Sequence, residues 1–213
     1  MTENVVPPVS SSWQRIDAWL AVHAPASLAL LSPPVTEEDL ASAQRVVGVD
    51  FPAELGESLR CHDGLERWTN LMPDKPPLSA RDIAQLWEEC MEIQQDLGED
   101  ADRNADGSPA EPWWHPLWIP WAELDGDAQV IDLRPGAGYG RLGMTFHDDC
   151  GVSPGSSWSG LAAYLHDVAR ALHLGGGVRG IHPFLTVTGE LWWDLGTSSS
   201  LHGVPLVPAP VGL

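Results

Sequence analysis

The sequence is short of basic side chains. Only 11 lysine and arginine residues stand against 30 aspartate and glutamate residues, which gives a formal net charge of −19 at pH 7. Such a charge repels the phosphates of nucleic acids and anionic membrane surfaces. We therefore expect neither nucleic acid nor a membrane as a partner. The same field would speed encounters with a basic protein, or it would do no more than keep the protein soluble.

Cysteine and long apolar runs are also scarce. The three cysteines, Cys61, Cys90 and Cys150, follow no recurring spacing, which argues against a disulfide framework or a zinc knuckle. Segment 1–12 lacks the basic and apolar regions of an export signal, and no run of about 20 apolar residues could span a membrane. The expectation is a cytoplasmic protein that holds no metal or other cofactor.

Hydrophobic residues, in contrast, are well represented. They make up 43% of the 213 residues and include 11 tryptophans, which is too much apolar surface for a disordered chain. The length suits one well-buried core and is short for two. We predict one domain.

The first half of the chain predicts helices. Apolar residues recur at three- and four-residue steps after a flexible segment 1–12, with Ser12 available as an N-cap. Thr36 and Ser79 each precede an aspartate by three residues, and these approximate capping boxes open two further helices. The predicted helices cover 13–23, 36–48, 51–62 and 79–97.

The second half predicts strands around one more helix. Two short apolar runs flank a glycine-rich loop at 134–140, as in a β-hairpin with a longer connection. Helical spacing then returns until three successive glycines, and the tail after Ser198 is rich in proline and glycine and is predicted to be irregular. The predicted elements are a hairpin over 130–146, a helix over 158–172 and a small hairpin over 184–195.

This order of elements predicts an α+β fold. An antiparallel sheet would pack against the N-terminal helices and against one long C-terminal helix. We expect a domain over 13–174, interrupted by an acidic loop at 99–112 that is poor in apolar residues. The remaining segment, 175–213, would be an extension with a small hairpin and an irregular tail.

Several sequence blocks together resemble the SUKH superfamily. The more specific ones are Trp118-Ile119-Pro120-Trp121, Asp125-Gly126-Asp127 and Ile131-Asp132-Leu133-Arg134-Pro135-Gly136. Weaker blocks precede them in order, at 33–40, 49–55, 62–64 and 78–83. The resemblance covers roughly 13–174 of the chain. The superfamily includes Smi/Knr-type cell-wall synthesis regulators and many bacterial toxin-immunity proteins.

The resemblance implies an intracellular protein-binding domain. The first reading is an immunity protein that neutralises a toxin by stoichiometric occlusion, with an acidic surface that recognises a basic toxin domain. The alternative is a regulatory scaffold of the cell-wall-regulator type, which would use the same fold to assemble other proteins. An enzyme of unrecognised type is the third reading.

The candidate partner-binding residues are of two kinds. Clustered tryptophans near a strand entry are candidates for interface anchors, because several indoles so close together rarely all find core positions. Exposed aspartates are candidates for steering a basic partner. The candidates are Trp114, Trp118, Trp121, Asp125, Asp127, Asp100, Asp102 and Asp106.

An enzymatic reading has little support in the sequence. The best constellation is His147-Asp148-Asp149-Cys150, but neighbours on a strand point to opposite faces and cannot all converge on one site. His62-Asp63-Gly64 fits a helix-ending turn with fewer assumptions than an acid–base pair. We therefore predict no catalytic residue and no metal ligand.

Overall fold

The computed structural model describes residues 5–98, 111–147 and 158–212. Within these residues helices come first and most strands follow, in an α+β arrangement that confirms the predicted fold class. The helices are α1 Val9–His23, α2 Pro25–Leu28, α3 Glu37–Val47, α4 Ala53–Leu59, α5 Ala80–Leu97 and α6 Leu161–Leu174. The strands are β1 Trp118–Leu124, β2 Asp127–Asp132, β3 Leu142–Thr145, β4 Ile181–Leu185, β5 Leu191–Leu195, β6 Ser200–Leu201, β7 Val204–Pro205 and β8 Val207–Pro208.

Helix α1 begins one turn earlier than the sequence predicts. Val9 is fully buried in the main core, and the Ser10 backbone N–H donates a hydrogen bond of 2.9 Å to Glu57 Oε1. The predicted flexible segment 1–12 is therefore wrong for residues 9–12. Val9 lies four residues before Trp13 and so extends the same apolar face.

The two predicted capping boxes are present. The backbone N–H of Asp39 donates to Thr36 Oγ1, and the backbone N–H of Asp82 donates to Ser79 Oγ, each at 3.1 Å. Helix α3 ends at Gly48, whose φ of 78° lies in the left-handed region. These local signals fix the start of α3 and α5.

The turn at His62-Asp63-Gly64 has a structural role. Asp63 Oδ1 accepts a hydrogen bond of 2.6 Å from the backbone N–H of Ala80, at the first turn of α5. Gly64 has a φ of 74°, and a Cβ there would lie 2.6 Å from the backbone nitrogen of Ser79. The turn after α4 is thus fitted closely against the start of α5.

The first sheet is antiparallel with strand order β1-β2-β3. The predicted hairpin is present, because Ile131 pairs with Leu142 and Val130 with Gly143. Strand β1, which contains Pro120, lies outside the predicted hairpin over 130–146. The register of β1 shifts between Pro120 and Ala122, an irregularity at which a residue without an N–H is tolerated.

Helix α6 packs against α1 and α4. It starts at Leu161 rather than at Trp158, because the backbone of Trp158 bonds to Leu142 at the edge of the first sheet. The helix has 14 residues and strands follow it, whereas α5 has 18. The predicted single long C-terminal helix is therefore not confirmed in that detail.

The segment after α6 is part of the same core. Its predicted hairpin is present as β4 and β5, and β8 adds to the far side of β4. Trp193 is buried and donates a hydrogen bond of 2.9 Å to the Leu71 carbonyl. The prediction of an irregular tail after Ser198 is wrong in part, because β6, β7 and β8 form there.

Candidate protein-binding surfaces

The three tryptophans predicted to anchor a partner are core residues. Trp114, Trp118 and Trp121 are only 3%, 1% and 2% exposed. The Trp121 indole N–H donates to Gln129 Oε1 at 2.9 Å, and its ring meets Tyr164 edge-on. The prediction that these indoles anchor a partner is therefore wrong, since a covered ring has no surface to offer.

Helix α5 explains this burial. Trp114 and Trp118 belong to a second apolar cluster, together with Cys90 of α5 and Val130 of β2. No described residue accepts a hydrogen bond from the indole N–H of Trp114 or Trp118. Leaving two buried donors unpaired costs free energy, and the apolar contacts of the cluster must offset that cost.

A charged network closes one side of this second cluster. The Arg134 guanidinium donates to both oxygens of Asp132 and to Glu111 Oε2, and lies 5.1 Å from the Trp118 ring centre. These hydrogen bonds raise the pKa of Arg134 above its usual value, although burial acts in the opposite direction. Asp132 and Arg134 lie in a sequence block that carries the family resemblance, but nothing local in that block predicts this network.

The two aspartates of the β1–β2 turn differ in their surroundings. Asp125 is exposed, and with Gly126 it has the positive φ that a two-residue hairpin turn requires. Asp127 is half-buried and accepts hydrogen bonds from the backbone and ring of His147, while Lys75 Nζ lies 3.7 Å away. Burial acts to raise the pKa of Asp127, but these partners outweigh it and hold the pKa below its usual range. Asp127 thus serves the fold, and Asp125 alone is presented to solvent.

The remaining predicted residues lie outside the described part of the chain. These are Asp100, Asp102 and Asp106 of the acidic loop, and Asp148, Asp149 and Cys150 of the enzymatic constellation.

Burial raises the pKa of Cys90 to about 12, so this thiol is not a ready nucleophile. Among the residues that the structure describes, no group of His, Cys, Asp and Glu is arranged to hold a metal ion. No described helix is long and apolar enough to cross a membrane.

A groove between α3 and α5 is lined by charged residues of both helices. We call it the acidic groove; its cavity volume is about 440 Å³. Its floor is formed by small residues, Ala43 and Ala84, where the two helices meet. The full lining is Asp39, Ser42, Ala43, Val46, Arg81, Ala84, Gln85 and Glu88.

Charge around the acidic groove follows from how its helices begin and continue. Helices α3 and α5 together carry eight acidic and two basic residues. Three of the acidic residues lie in the first turn of α3, where the positive end of the helix dipole stabilises them. Glu88, Glu92 and Asp96 are all exposed on α5. The groove could not be predicted from the sequence, because nothing local indicates that α3 pairs with α5.

Comparison with known families is decisive for the fold. A family model described as the SMI1 / KNR4 family (SUKH-1) matches residues 34–165, more than half of the chain. This chain belongs to that family. The match begins just before α3 and ends within α6, so α1 and the strands β4–β8 lie outside it. The predicted resemblance is thereby confirmed.

Three curated relatives that match this chain come from fungi. A "Cell wall biosynthesis/cell cycle regulator smi1" of Schizosaccharomyces pombe is 30% identical over 62% of this chain and 30% of its own length. A "Glucan synthesis regulatory protein" of Neurospora crassa is 25% identical over 60% of this chain and 31% of its own length. A "KNR4/SMI1 homolog" of Eremothecium gossypii is 42% identical over 26% of this chain and 8% of its own. The chain therefore spans less than a third of the length of these SMI1 / KNR4 relatives.

Proposed function

We propose that this SMI1 / KNR4 family chain is a non-enzymatic protein-binding domain with a regulatory role. The acidic groove is its docking surface for a basic segment of a partner protein. The names of the fungal relatives support a regulatory role over toxin neutralisation, because they refer to cell-wall and glucan synthesis. The observation that carries the proposal is the excess of acidic residues along α3 and α5.

The acidic groove is concave, so it can enclose a side chain of the partner in a way that a flat surface could not. Small residues at the crossing of α3 and α5 leave room for an apolar side chain from the partner, while Asp39 and Glu88 line the two walls. A lysine or arginine beside that side chain would meet the carboxylates at the rim. Such charges increase the association rate, and salt weakens the effect beyond a Debye length of about 8 Å.

The experiment compares two sets of isosteric substitutions. Glu88→Gln removes a carboxylate from the groove lining, and Glu92→Gln and Asp96→Asn remove two more from exposed positions farther along α5. Asp50→Asn, Glu66→Gln and Asp125→Asn remove the same number of charges from exposed positions elsewhere. Each form is immobilised, proteins of the source cells are captured, and the retained proteins are identified and quantified.

We expect basic proteins that the wild type and the control set retain to be lost from the groove set. Their association rates, measured with purified partners, should fall as salt is added. Equal capture by both sets would contradict the assignment of the groove. A single secreted toxin as the partner would support the immunity reading instead, and a bound metal at unit stoichiometry would support an enzyme.

A further inference from the structure

A second groove lies outside the part of the chain that the family model matches. It runs between the β4–β5 turn and the β6–β7 hairpin, with a cavity volume of about 290 Å³, and we call it the C-terminal groove. Its lining is mostly apolar, with Val187 and Val204 exposed on its walls and Leu206 buried in it. Thr186, Thr188, Glu190, Trp192, Leu201, His202 and Pro205 complete the lining.

Two tryptophans extend the C-terminal groove across the surface. The rings of Trp68 and Trp192 meet edge-on with their centres 5.9 Å apart, and Trp68 is 54% exposed. No described residue accepts a hydrogen bond from either indole N–H. Both donors are therefore left to solvent or to a ligand.

The nearby edge of β5 is closed to main-chain pairing. The Leu191 backbone N–H donates to Ser27 Oγ at 2.8 Å, and the Trp193 carbonyl accepts a hydrogen bond from the Asn70 side chain. Because the Ser27 and Asn70 side chains lie along this edge, we do not expect a ligand to extend the sheet here as an added strand. It must be recognised through its side chains and through carbonyls that accept from the indoles.

We propose that the C-terminal groove binds a proline-containing segment of another protein that carries a basic residue. Segments in the polyproline II conformation have no internal hydrogen bonds, expose their carbonyls and dock on aromatic-lined grooves. Glu190 and Asp194 lie two residues before and after Trp192, so they share its face of the strand. Glu190 lines the groove and pairs with Arg67 through Oε1, and Asp194 lies beyond the lining and accepts from the Leu195 backbone N–H through Oδ1. Each carboxylate thus keeps one oxygen that could meet a basic residue of the ligand.

Other occupants fit this groove less well. The proline-rich tail of this chain is already held, because the Ala209 N–H donates to the Pro183 carbonyl and the Pro210 carbonyl accepts from Trp19. A second copy of the chain also carries a net charge of −19, so electrostatic repulsion would oppose its binding at this surface.

The test uses a fluorescent, end-blocked proline-rich decapeptide with one arginine. Matched peptides replace the prolines by alanine or the arginine by glutamate. Binding is measured by anisotropy at physiological salt to the wild type, Trp68→Ala and Trp192→Ala. Tyr139→Ala, which removes an exposed aromatic residue on the β2–β3 loop, is the control.

We expect the tryptophan variants to bind the peptide at least roughly tenfold more weakly, as for a residue that anchors an interface. The Tyr139→Ala variant should bind like the wild type, and both altered peptides should bind more weakly. Equal binding of the alanine peptide, no loss in the tryptophan variants, or no binding to the wild type would overturn the proposal.

Two further variants keep the test conclusive. Val204→Lys places a positive charge on an exposed wall of the groove, and it should abolish binding of the arginine peptide even if Trp192→Ala disturbs folding. Since this proposal does not rest on the acidic groove, the set Glu88→Gln, Glu92→Gln and Asp96→Asn should bind the peptide like the wild type. A loss in that set together with retention by Val204→Lys would place the peptide at the acidic groove and refute this assignment.

Discussion

Two groups of tryptophans in this protein differ in how far their indole rings are buried. Trp114, Trp118 and Trp121 crowd one short stretch of sequence and are all buried, whereas Trp68 and Trp192 are far apart in sequence and meet at the surface. The first group lies under α5 or against α6. Trp192 of β5 lies beside the β6–β7 hairpin, whose strands have two residues each. Exposure of an indole thus depends on which element covers it, and crowding in the sequence does not predict it.

The largest effect should come from removing a buried member of this comparison. Trp121→Ala should lower the free energy of unfolding by about 3–5 kcal/mol, because it leaves a cavity and deprives buried Gln129 of its hydrogen bond. Trp68→Ala should cost less than about 1 kcal/mol. Urea denaturation of both variants measures the difference. Similar losses of unfolding free energy in the two variants would contradict the assignment of Trp121 to the core and of Trp68 to the surface.

A smaller effect is expected from the charged network beside the second apolar cluster. Arg134→Ala should cost about 2 kcal/mol, because the buried Asp132 carboxylate loses its charged partner. Adding Asp132→Asn should recover part of that loss. Arg45→Ala, at an exposed position on α3, is the control for loss of a surface arginine. Chemical denaturation would contradict the prediction if both arginine variants were equally stable.

The smallest effect concerns the ion pair that joins α1 to the turn after α4. Burial acts to lower the pKa of His62, but both oxygens of Asp17 lie 3.1 Å from His62 Nε2 and the net pKa is raised above 6.5. The pair therefore adds stability that is fully present below about pH 6.5, the pKa of an unfolded histidine, and is lost as pH rises through the higher folded pKa.

Asp17→Asn should flatten that part of the stability profile and return the His62 pKa toward its ordinary value. Nuclear magnetic resonance titration of the His62 ring and denaturation at several pH values measure the two changes. An unchanged His62 pKa in the variant would show that Asp17 does not stabilise the protonated His62 ring. Asp50→Asn is the matched control, since Asp50 is exposed.

Local chemistry predicted the helices and most of the hairpins. Thr36 and Ser79 mark the starts of α3 and α5, and Gly48 marks an end, because capping is decided within a few residues. Strand β1 was hard to predict because proline disfavours a strand. The register shift that accommodates Pro120 depends on pairing with β2, which the local sequence does not show. The strands β6, β7 and β8 have two residues each, which is too few to show a period, and β7 and β8 each contain a proline.

The sites depended more on tertiary structure than the elements did. The acidity of α5 could be predicted, but its groove requires α3 to pack beside it. The Trp68–Trp192 pair joins segments that no local pattern connects, and His62 shows no local sign of its bond to Asp17. Packing of distant segments therefore decides where this chain can bind a partner, even where its elements are predictable.

The covered edge of β5 also affects the tendency of this protein to aggregate. An exposed strand edge is a template on which a second chain can stack, and aggregation through such edges is a common hazard of sheets. Here Ser27 accepts from the Leu191 backbone N–H, and Asn70 donates to the Trp193 carbonyl. The apolar surface beside them can therefore remain open to solvent without offering a seed for stacking of this strand into fibrils.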